Sequence, residues 1–218
     1  QCVFKDIKRI SDSRFSISNG DGYALADTGG NILTQFTFDA IGEFSSGLAA
    51  ASIGGRFGYI DQRGRTKIPF IFEALEGFPQ FAKFSGGYAA ISLSGAFGVA
   101  DTTGNIVIAD SFDRIDLLEN GFAMVYDSTK CGMLEIGNER FLTESMFDSS
   151  GVFSFNSLPV RVGDRWGAID KSGKYLVEPR FFSIVPLPNG FYIFASENGY
   201  GILDSLSANV LDPQYDDA

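Results

Sequence analysis

One sequence pattern recurs along the chain at nearly constant spacing, and this repetition constrains the fold more than any other feature. An aromatic residue and a glycine precede two small or apolar residues, an acid and, three positions later, a second glycine. The clearest copies read RFGYIDQRGRTKIPFIF at residues 56–72, AFGVADTTG at 96–104 and RWGAIDKSGKYLVEPRF at 165–181. A chain that repeats one pattern in this way is predicted to repeat one structural unit.

Three weaker copies bring the number to six. Ala24 replaces the first glycine in the first copy, Glu135 is the acid of the fourth, and Ser207 replaces the second glycine in the sixth. The glycine after the aromatic residue is called the signature glycine below, and the glycine after the acid is called the turn glycine. The pattern predicts one domain over residues 1–218, with repeats of about 34 residues at roughly 13–46, 47–86, 87–120, 121–156, 157–189 and 190–218.

Each repeat is predicted to hold three β-strands. Apolar and polar residues alternate on both sides of the acid and the turn glycine, as expected for two strands joined by a short hairpin loop. The glycine supplies a positive φ, and the acid accepts hydrogen bonds from turn amides. A third strand precedes the signature glycine, in stretches such as SGLAAAS and SGGYAAIS. Glycine inside a strand indicates a bulge or a close neighbour, and a ring of the next repeat is one candidate for that neighbour.

These motifs resemble the bacterial WG, or KWG, β-repeat family. The resemblance rests on the aromatic-glycine pair, the Ile-Asp and turn-glycine segment, and the Ile-Pro and Phe-acid segment of RFGYIDQRGRTKIPF and RWGAIDKSGKYLVEP. It covers the chain from about Phe15 to the end, although Trp166 is the only tryptophan. The resemblance implies a bacterial tandem β-repeat protein used for interactions, and it brings no catalytic residues.

The fold class predicted from these observations is all-β, with six three-stranded repeats stacked as a curved open solenoid. A single three-stranded sheet cannot bury both of its faces, so neighbouring repeats must stack. A closed propeller-like ring is the alternative. Propeller blades normally hold four strands in forty or more residues, which exceeds the usual spacing here.

Composition excludes several classes of function. The chain contains no histidine, which removes the Ser-His-Asp and Cys-His forms of catalysis and imidazole metal sites. Its formal net charge of −10 and scattered basic residues argue against a nucleic-acid partner. No apolar run approaches the roughly 18 residues of a membrane helix, so no membrane insertion is expected. We therefore expect a protein that is not an enzyme and has no cofactor.

The repeated acids and rings allow more than one interpretation. The acids at Asp27, Asp61, Asp101, Glu135, Asp170 and Asp204 are expected to fix their turns, with calcium binding or paired-carboxylate catalysis as the alternatives. The aromatic residues are expected to form the core between repeats, with a platform for stacking sugars as the alternative.

One segment departs from the repeat and is the predicted binding site. About six extra residues lie within LEGFPQFAK, between the second and third copies, where Phe78 and Phe81 flank Pro79. Extra residues in repeat proteins map to loops, and exposed aromatic residues in loops are typical interaction anchors. The alternative is that both rings pack back onto the sheet. Phe78, Pro79 and Phe81 are thus predicted to contact a protein partner, with glycan or envelope-polymer binding as the second hypothesis.

Overall fold

The computed structural model describes residues 4–74, 82–118, 121–143 and 147–215, and these residues form an all-β protein of open antiparallel sheets. The chain divides into two compact units, Gln1–Gly121 and Phe122–Ala218. Regular helix in the described ranges is limited to short 3-10 turns, at Ile136–Asn138 and Pro188–Gly190 for example. None of the described helical segments is long and apolar enough to cross a membrane.

The first unit contains sheets β1-β2-β3, β4-β5-β6-β7 and β8-β9-β10, and a short strand β11 that lies against β8 and β9. Its strands are β1 (Asp6–Arg9), β2 (Arg14–Ser18), β3 (Tyr23–Asp27), β4 (Ala40–Ser45), β5 (Leu48–Ile53), β6 (Arg56–Asp61), β7 (Thr66–Glu73), β8 (Tyr88–Ser92), β9 (Phe97–Asp101), β10 (Ile106–Phe112) and β11 (Arg114–Leu117).

The second unit contains strands β12, β13 and β14, which pair in that order, and the sheets β15-β16-β17-β18 and β19-β20-β21-β22. Its strands are β12 (Phe122–Asp127), β13 (Lys130–Glu135), β14 (Arg140–Phe141), β15 (Ser149–Ser150), β16 (Leu158–Val162), β17 (Arg165–Ile169), β18 (Tyr175–Phe181), β19 (Ser183–Pro186), β20 (Tyr192–Ser196), β21 (Gly199–Leu203) and β22 (Asn209–Tyr215).

The prediction of three strands per repeat is wrong for the sheets β4–β7, β15–β18 and β19–β22, which have four. The additional strand follows the Phe-acid pair of the preceding repeat, as β4 follows Phe38 and Asp39. The sequence-based prediction missed this additional strand. In two of the three sheets it is short, with two residues in β15 and four in β19. Each of these four-stranded sheets therefore begins near the end of one sequence repeat and ends in the next.

The signature glycine faces a bulge in the strand that follows the turn. Gly58 lies between the pairs Phe57↔Phe72 and Tyr59↔Ile68, so β6 advances by two residues while β7 advances by four. A Cβ on Gly58 would lie 2.5 Å from the Ile68 carbonyl oxygen and 2.6 Å from that of Pro69. The close neighbour is thus the backbone of the same sheet, and the ring of the next repeat considered above is the wrong candidate.

The same bulge recurs in the third, fifth and sixth copies of the pattern. Its flanking pairs are Phe97↔Phe112 and Val99↔Ile108, Trp166↔Phe181 and Ala168↔Val177, and Tyr200↔Tyr215 and Ile202↔Leu211. The first sheet is different, because Ala24 carries a Cβ at the signature position. There the outer strand is reduced to two isolated bridges, Tyr23↔Phe38 and Ala26↔Ile32.

The repeated aspartates fix the hairpin turns, as predicted. Asp61 Oδ1 accepts hydrogen bonds from the backbone amides of Arg63 and Arg65 at 2.9 and 3.0 Å, and the Gly64 amide donates to the Asp61 carbonyl. The carboxylates of Asp27, Asp101, Asp170 and Asp204 make the same pair of amide contacts. These oxygens are engaged inside their turns, which accounts for the recurrence of the acid.

We expect these turns to make the stability of the protein fall in acid. Burial raises the pKa of the Asp61 carboxyl, but hydrogen bonds from the Arg65 side chain and from the Arg65 and Arg63 amides outweigh it, and the pKa falls to about 2. A hydrogen bond from the Asn31 side chain holds the pKa of Asp27 below its ordinary value. Burial raises the pKa of Asp101 and Asp170, but hydrogen bonds from their turns outweigh it and lower both. A folded-state pKa below that of the unfolded chain adds stability that is complete above about pH 4 and is lost as the pH falls through the folded value.

Urea unfolding between pH 6 and pH 2 measures this dependence, with Asp61→Asn as the test variant. The asparagine keeps an oxygen for the turn amides but does not titrate, so its stability should change less with pH below 4. An unchanged slope in the variant would contradict the assignment.

Aromatic residues at the ends of the sheets form the core, as predicted. Phe72 is completely buried, its ring centroid lies 5.4 Å from that of Phe57, and both belong to the cluster that joins the second and third sheets. In the second unit the ring centroids of Phe181 and Phe194 lie 4.3 Å apart.

The turn glycines lie against the preceding sheet within each unit. A Cβ on Gly64 would overlap the Thr34 methyl group, and one on Gly173 would lie 2.9 Å from the Thr143 methyl group. Each of these threonines also accepts a hydrogen bond from a strand amide through its hydroxyl, from Leu25 and Met133 respectively. In both places the threonine methyl group packs against the turn glycine of the next sheet, so a larger residue at the glycine would push the two apart.

Candidate functional site

Among the described residues, an open groove in the second unit is the candidate binding site. It has a volume of about 400 Å³ and lies between the sheet β15–β18 and the first strand of the sheet β19–β22. We call it the Trp166 groove. Its lining residues are Gly151, Val152, Ser154, Pro159, Trp166, Ser183, Ile184, Val185 and Pro186.

Trp166 forms part of the floor of the groove on strand β17. The register pairs it with Arg161 on β16 and pairs Ala168 with Pro159, so all four side chains share one face of the sheet. The indole is only half-buried, whereas Phe57 at the same position of the second repeat is completely buried. The sole tryptophan of the chain thus presents part of its surface at the groove.

A strained turn forms one wall of the groove. Ser154 and Ser157 exchange backbone hydrogen bonds of 2.9 Å, and the two residues between them, Phe155 and Asn156, have φ angles of 49° and 63°. Phenylalanine rarely adopts a positive φ, and such strain is concentrated at functional sites. Phe155 is exposed at the tip, and Val152 beside the turn is 82% exposed. Two apolar side chains therefore stand in solvent next to an apolar groove.

Strand β19 forms the opposite wall. Ile184 and Pro186 point into the protein, while Ser183 and Val185 alternate with them and are exposed. Because β19 pairs only with β20 in the described structure, it is an edge strand of its sheet. Val185, which is 52% exposed, presents its side chain at the groove.

The chemistry of the groove is almost entirely apolar. Ser154, Ser183 and the indole N–H of Trp166 supply the polar side-chain groups of the lining, and no ionisable group belongs to it. The nearby Arg165 is engaged elsewhere, since its guanidinium lies 4.3 Å from the Phe182 ring centroid and 3.3 Å from a Glu197 carboxylate oxygen. The groove therefore suits an apolar ligand and offers no acid, base or nucleophile apart from serine hydroxyls.

A smaller groove of about 280 Å³ lies on the first sheet. Phe15, Ile17, Ala26 and Ile32 contribute to its lining, together with the turn glycine Gly30, around which no atom lies within 4 Å of the position a Cβ would take. This groove lies on one face of the first sheet. In later sheets of each unit, the corresponding face packs against the preceding sheet. It is a feature of stacking geometry.

The binding site predicted from sequence cannot be compared with this groove. Phe78, Pro79 and Phe81 lie outside the described residues, so their prediction stays a prediction. Sequence reasoning did not identify the Trp166 groove, although two signals pointed there: the only tryptophan at an aromatic-glycine pair, and the Phe155-Asn156 dipeptide between two serines.

Within the described residues, no group of three or more cysteine, aspartate or glutamate side chains is arranged to hold a metal ion. Each turn aspartate binds the backbone amides of its own loop.

Several solved structures of distant proteins match this chain, and one of the three described here has a TM-score above 0.5. A crystal structure described as the eukaryotic initiation factor matches with a TM-score of 0.55 at 13% identity, over 97% of this chain and 66% of that one. PorZ, described as a bacterial surface component of the type-IX secretion system of Porphyromonas gingivalis, matches with a TM-score of 0.40 at 12% identity, over 97% and 32%. Hsv2p of Kluyveromyces lactis matches with a TM-score of 0.46 at 10% identity, over 93% of this chain and 74% of that one. At 13% identity the likeness to the initiation factor concerns the fold alone.

The chain spans 66% of the length of the initiation factor and about a third of PorZ. A search of curated protein sequences finds no match.

The family comparison agrees with the bulges and turns described above. The family described as WG containing repeat matches residues 23–57, 57–95, 97–127 and 166–200, which together make up more than half of the chain. These segments carry the signature glycines at 58, 98 and 167 and the aspartate turns that follow them. The protein belongs to the WG containing repeat family.

Proposed function

We propose that this protein is a non-catalytic repeat module that binds a partner protein through an apolar segment of that partner. The observation that carries the proposal is the Trp166 groove, in which a half-buried indole lies beside the exposed side chains of Val152 and Val185. Exposed apolar side chains around a concave apolar surface are typical of protein interaction sites. Aromatic anchors of this kind supply most of the binding free energy in such sites.

The lining favours a protein ligand over a glycan. Sugar hydroxyl groups give up hydrogen bonds to water on binding and need polar groups to replace them. Two serine hydroxyls, of Ser154 and Ser183, and the single indole N–H of Trp166 are the side-chain groups that the groove offers for this purpose. An apolar side chain of a peptide has no such requirement and gains from the removal of its surface from water.

The absence of ionisable groups in the groove supports a non-catalytic role. General acid–base catalysis needs a side chain that exchanges a proton near neutral pH, and the chain has no histidine at any position. We extend the proposal to the stacking of six repeats as an open curved solenoid, with a closed ring as the alternative, and to Phe78, Pro79 and Phe81 as a second contact with a partner.

Selection of peptides from a displayed random library tests the function. We expect the selected peptides to be rich in apolar residues and to shift the fluorescence of Trp166, which is the only tryptophan in the chain. Val185→Asp should weaken their binding by at least about ten-fold, because the carboxylate would have to lose water against an apolar ligand. Val210→Asp is the matched control, since Val210 is 59% exposed on β22, in the same sheet but outside the groove.

Two results would count against the proposal. Peptides that bind both aspartate variants as well as the unmodified chain would place the contact elsewhere. A glycan that shifts Trp166 fluorescence and is lost in the Val185 variant, when no peptide has this effect, would replace protein binding with sugar binding.

A further inference from the structure

We infer that the chain associates head to tail, with the last sheet of one copy, β19–β22, stacked on the first sheet of another, β1–β3. This inference goes beyond the proposed function and does not rest on it, because the Trp166 groove takes no part. It comes from comparing these two sheets with the second sheet, β4–β7. Each of the two leaves open a face that the second sheet buries against a neighbour.

The second sheet stacks on its neighbours through two different faces. One face packs on the first sheet, in a cluster that also holds Leu25, and its buried residues are Ile41, Ala49, Ala51 and Ile60. The opposite face packs on the third sheet, in a cluster with Ala89 and Ile91, and its buried residues are Leu48, Ala50, Phe57, Tyr59, Ile68 and Phe72. We call these the preceding face and the following face.

The preceding face of the first sheet forms the smaller groove, of about 280 Å³. Counted from the signature position, its residues that correspond to those of the second sheet are Ile7, Phe15, Ile17 and Ala26. Ile7 is 59% exposed, whereas Ile41 at the same place in the second sheet is 5% exposed. Phe15 and Ile17 are larger than the alanines they replace and fill part of the space. The groove is the part that stays open.

The turn glycine marks the point at which stacked sheets touch. A Cβ on Gly64 would overlap the Thr34 methyl group of the first sheet. One on Gly104 would lie 3.2 Å from the Ile68 side chain of the second sheet. Each covering residue stands seven positions after the acid of its own repeat. Around Gly30, no atom of the described residues lies within 4 Å of the position a Cβ would take, so the contact point of the first sheet is uncovered.

The last sheet carries the residue that would cover such a glycine. Leu211 stands seven positions after Asp204, and the register pairs it with Ile202. Tyr59 and Ile68 form the same pair in the second sheet, where both are buried. The following face of the last sheet consists of apolar residues that are only half-buried or exposed: Phe191, Ile193, Tyr200, Ile202 and Leu211. One chain therefore presents both halves of an interface that its own sheets form within a unit.

Charge favours the last sheet of a second copy as the occupant of the first. Residues 4–18, which contain strands β1 and β2, carry four basic and two acidic side chains. Residues 183–215, which contain the last sheet, carry three acidic side chains and no lysine or arginine. Two last sheets or two first sheets would bring like charges together, whereas head-to-tail stacking brings opposite charges together. A contact between two different faces leaves one face free at each end, so association can continue beyond a dimer.

Two variants that each block one face test this inference by sedimentation equilibrium. Ile7→Asp places a carboxylate on the preceding face of the first sheet, and Leu211→Asp places one on the following face of the last sheet. The average mass of the unmodified chain should rise with concentration past that of a dimer. Each variant alone should associate at least about ten-fold more weakly, because the carboxylate would have to lose its water in an apolar contact. An equimolar mixture should form a 1:1 dimer and nothing larger, since each variant keeps the face that the other has lost.

Matched controls carry the same substitution on exposed residues outside the two faces. Ile71 is 49% exposed in the first unit and Leu206 is 86% exposed in the last sheet, so Ile71→Asp and Leu206→Asp should associate like the unmodified chain. Phe191→Asp blocks the same face as Leu211→Asp at a residue that is 36% exposed. It replaces Leu211→Asp in the mixture if that variant has a lower melting temperature than the unmodified chain.

Three results would overturn the inference. The first is an unmodified chain that stays monomeric at every concentration. The second is a single variant that dimerises alone, which would show that two like faces stack. The third is a mixture of the two variants that stays monomeric. Neither Ile7 nor Leu211 lines the Trp166 groove, so selected peptides should bind both variants as they bind the unmodified chain, and failure of either proposal leaves the other standing.

Discussion

Replacing Gly58 with alanine is expected to lower the free energy of unfolding by about 2–4 kcal/mol. The added methyl carbon would lie 2.5 and 2.6 Å from the carbonyl oxygens of Ile68 and Pro69, where real side chains are not found. Because both obstacles are backbone atoms, the bulge of β7 would have to move and its pairing with β6 would weaken. Urea unfolding of the two proteins, followed by circular dichroism, measures the difference.

Position 24 supplies the natural comparison for this variant. Ala24 already carries a methyl group at the equivalent position, in a sheet whose outer strand is reduced to isolated bridges. Ala24→Gly should therefore change stability by no more than about 1 kcal/mol. A Gly58→Ala protein as stable as the unmodified chain would show that the bulge does not require glycine.

Replacing Phe72 with alanine is expected to cost about 3–5 kcal/mol, the usual range for a large buried ring. Phe72 is completely buried, its ring packs against Phe57, and it belongs to the cluster that joins two sheets. The loss would leave a cavity that the neighbouring strands cannot fill without shifting. The thermal unfolding midpoint and the urea midpoint should both fall.

Ile71 is the matched control for Phe72. It is the preceding residue of the same strand and is 49% exposed, so Ile71→Ala should cost about 1 kcal/mol or less. If Phe72→Ala left stability unchanged, the recurring aromatic residues would not form the core, and the sugar-platform interpretation would regain support.

The local chemistry of each repeat was readable from sequence because it depends on neighbours in the chain. The acid and the turn glycine lie three residues apart, and their hydrogen bonds close a loop within five residues, as with Asp61 and Arg65. The requirement for glycine at position 58 was also recognised as a bulge or a close approach. The sequence did not identify the atoms that lie close to Gly58, because these carbonyl groups belong to Ile68 and Pro69, ten and eleven positions later.

The fourth strand and the groove were not predictable in the same way. Strand β15 has two residues, which is too short for an alternating pattern to be recognised. The groove is lined by Ser154 and Trp166 of one sheet and by Val185 of the next, residues that come together only when the two sheets pack in space.

Mapping of amide and indole resonances by two-dimensional NMR, during titration with a peptide selected on this protein, tests the central claim most directly. The account predicts shifts of the Trp166 indole N–H and of the amides at Val152, Ser154 and Val185, with the first unit unchanged. Shifts confined to residues outside the groove, with the Trp166 indole unmoved at saturation, would contradict it.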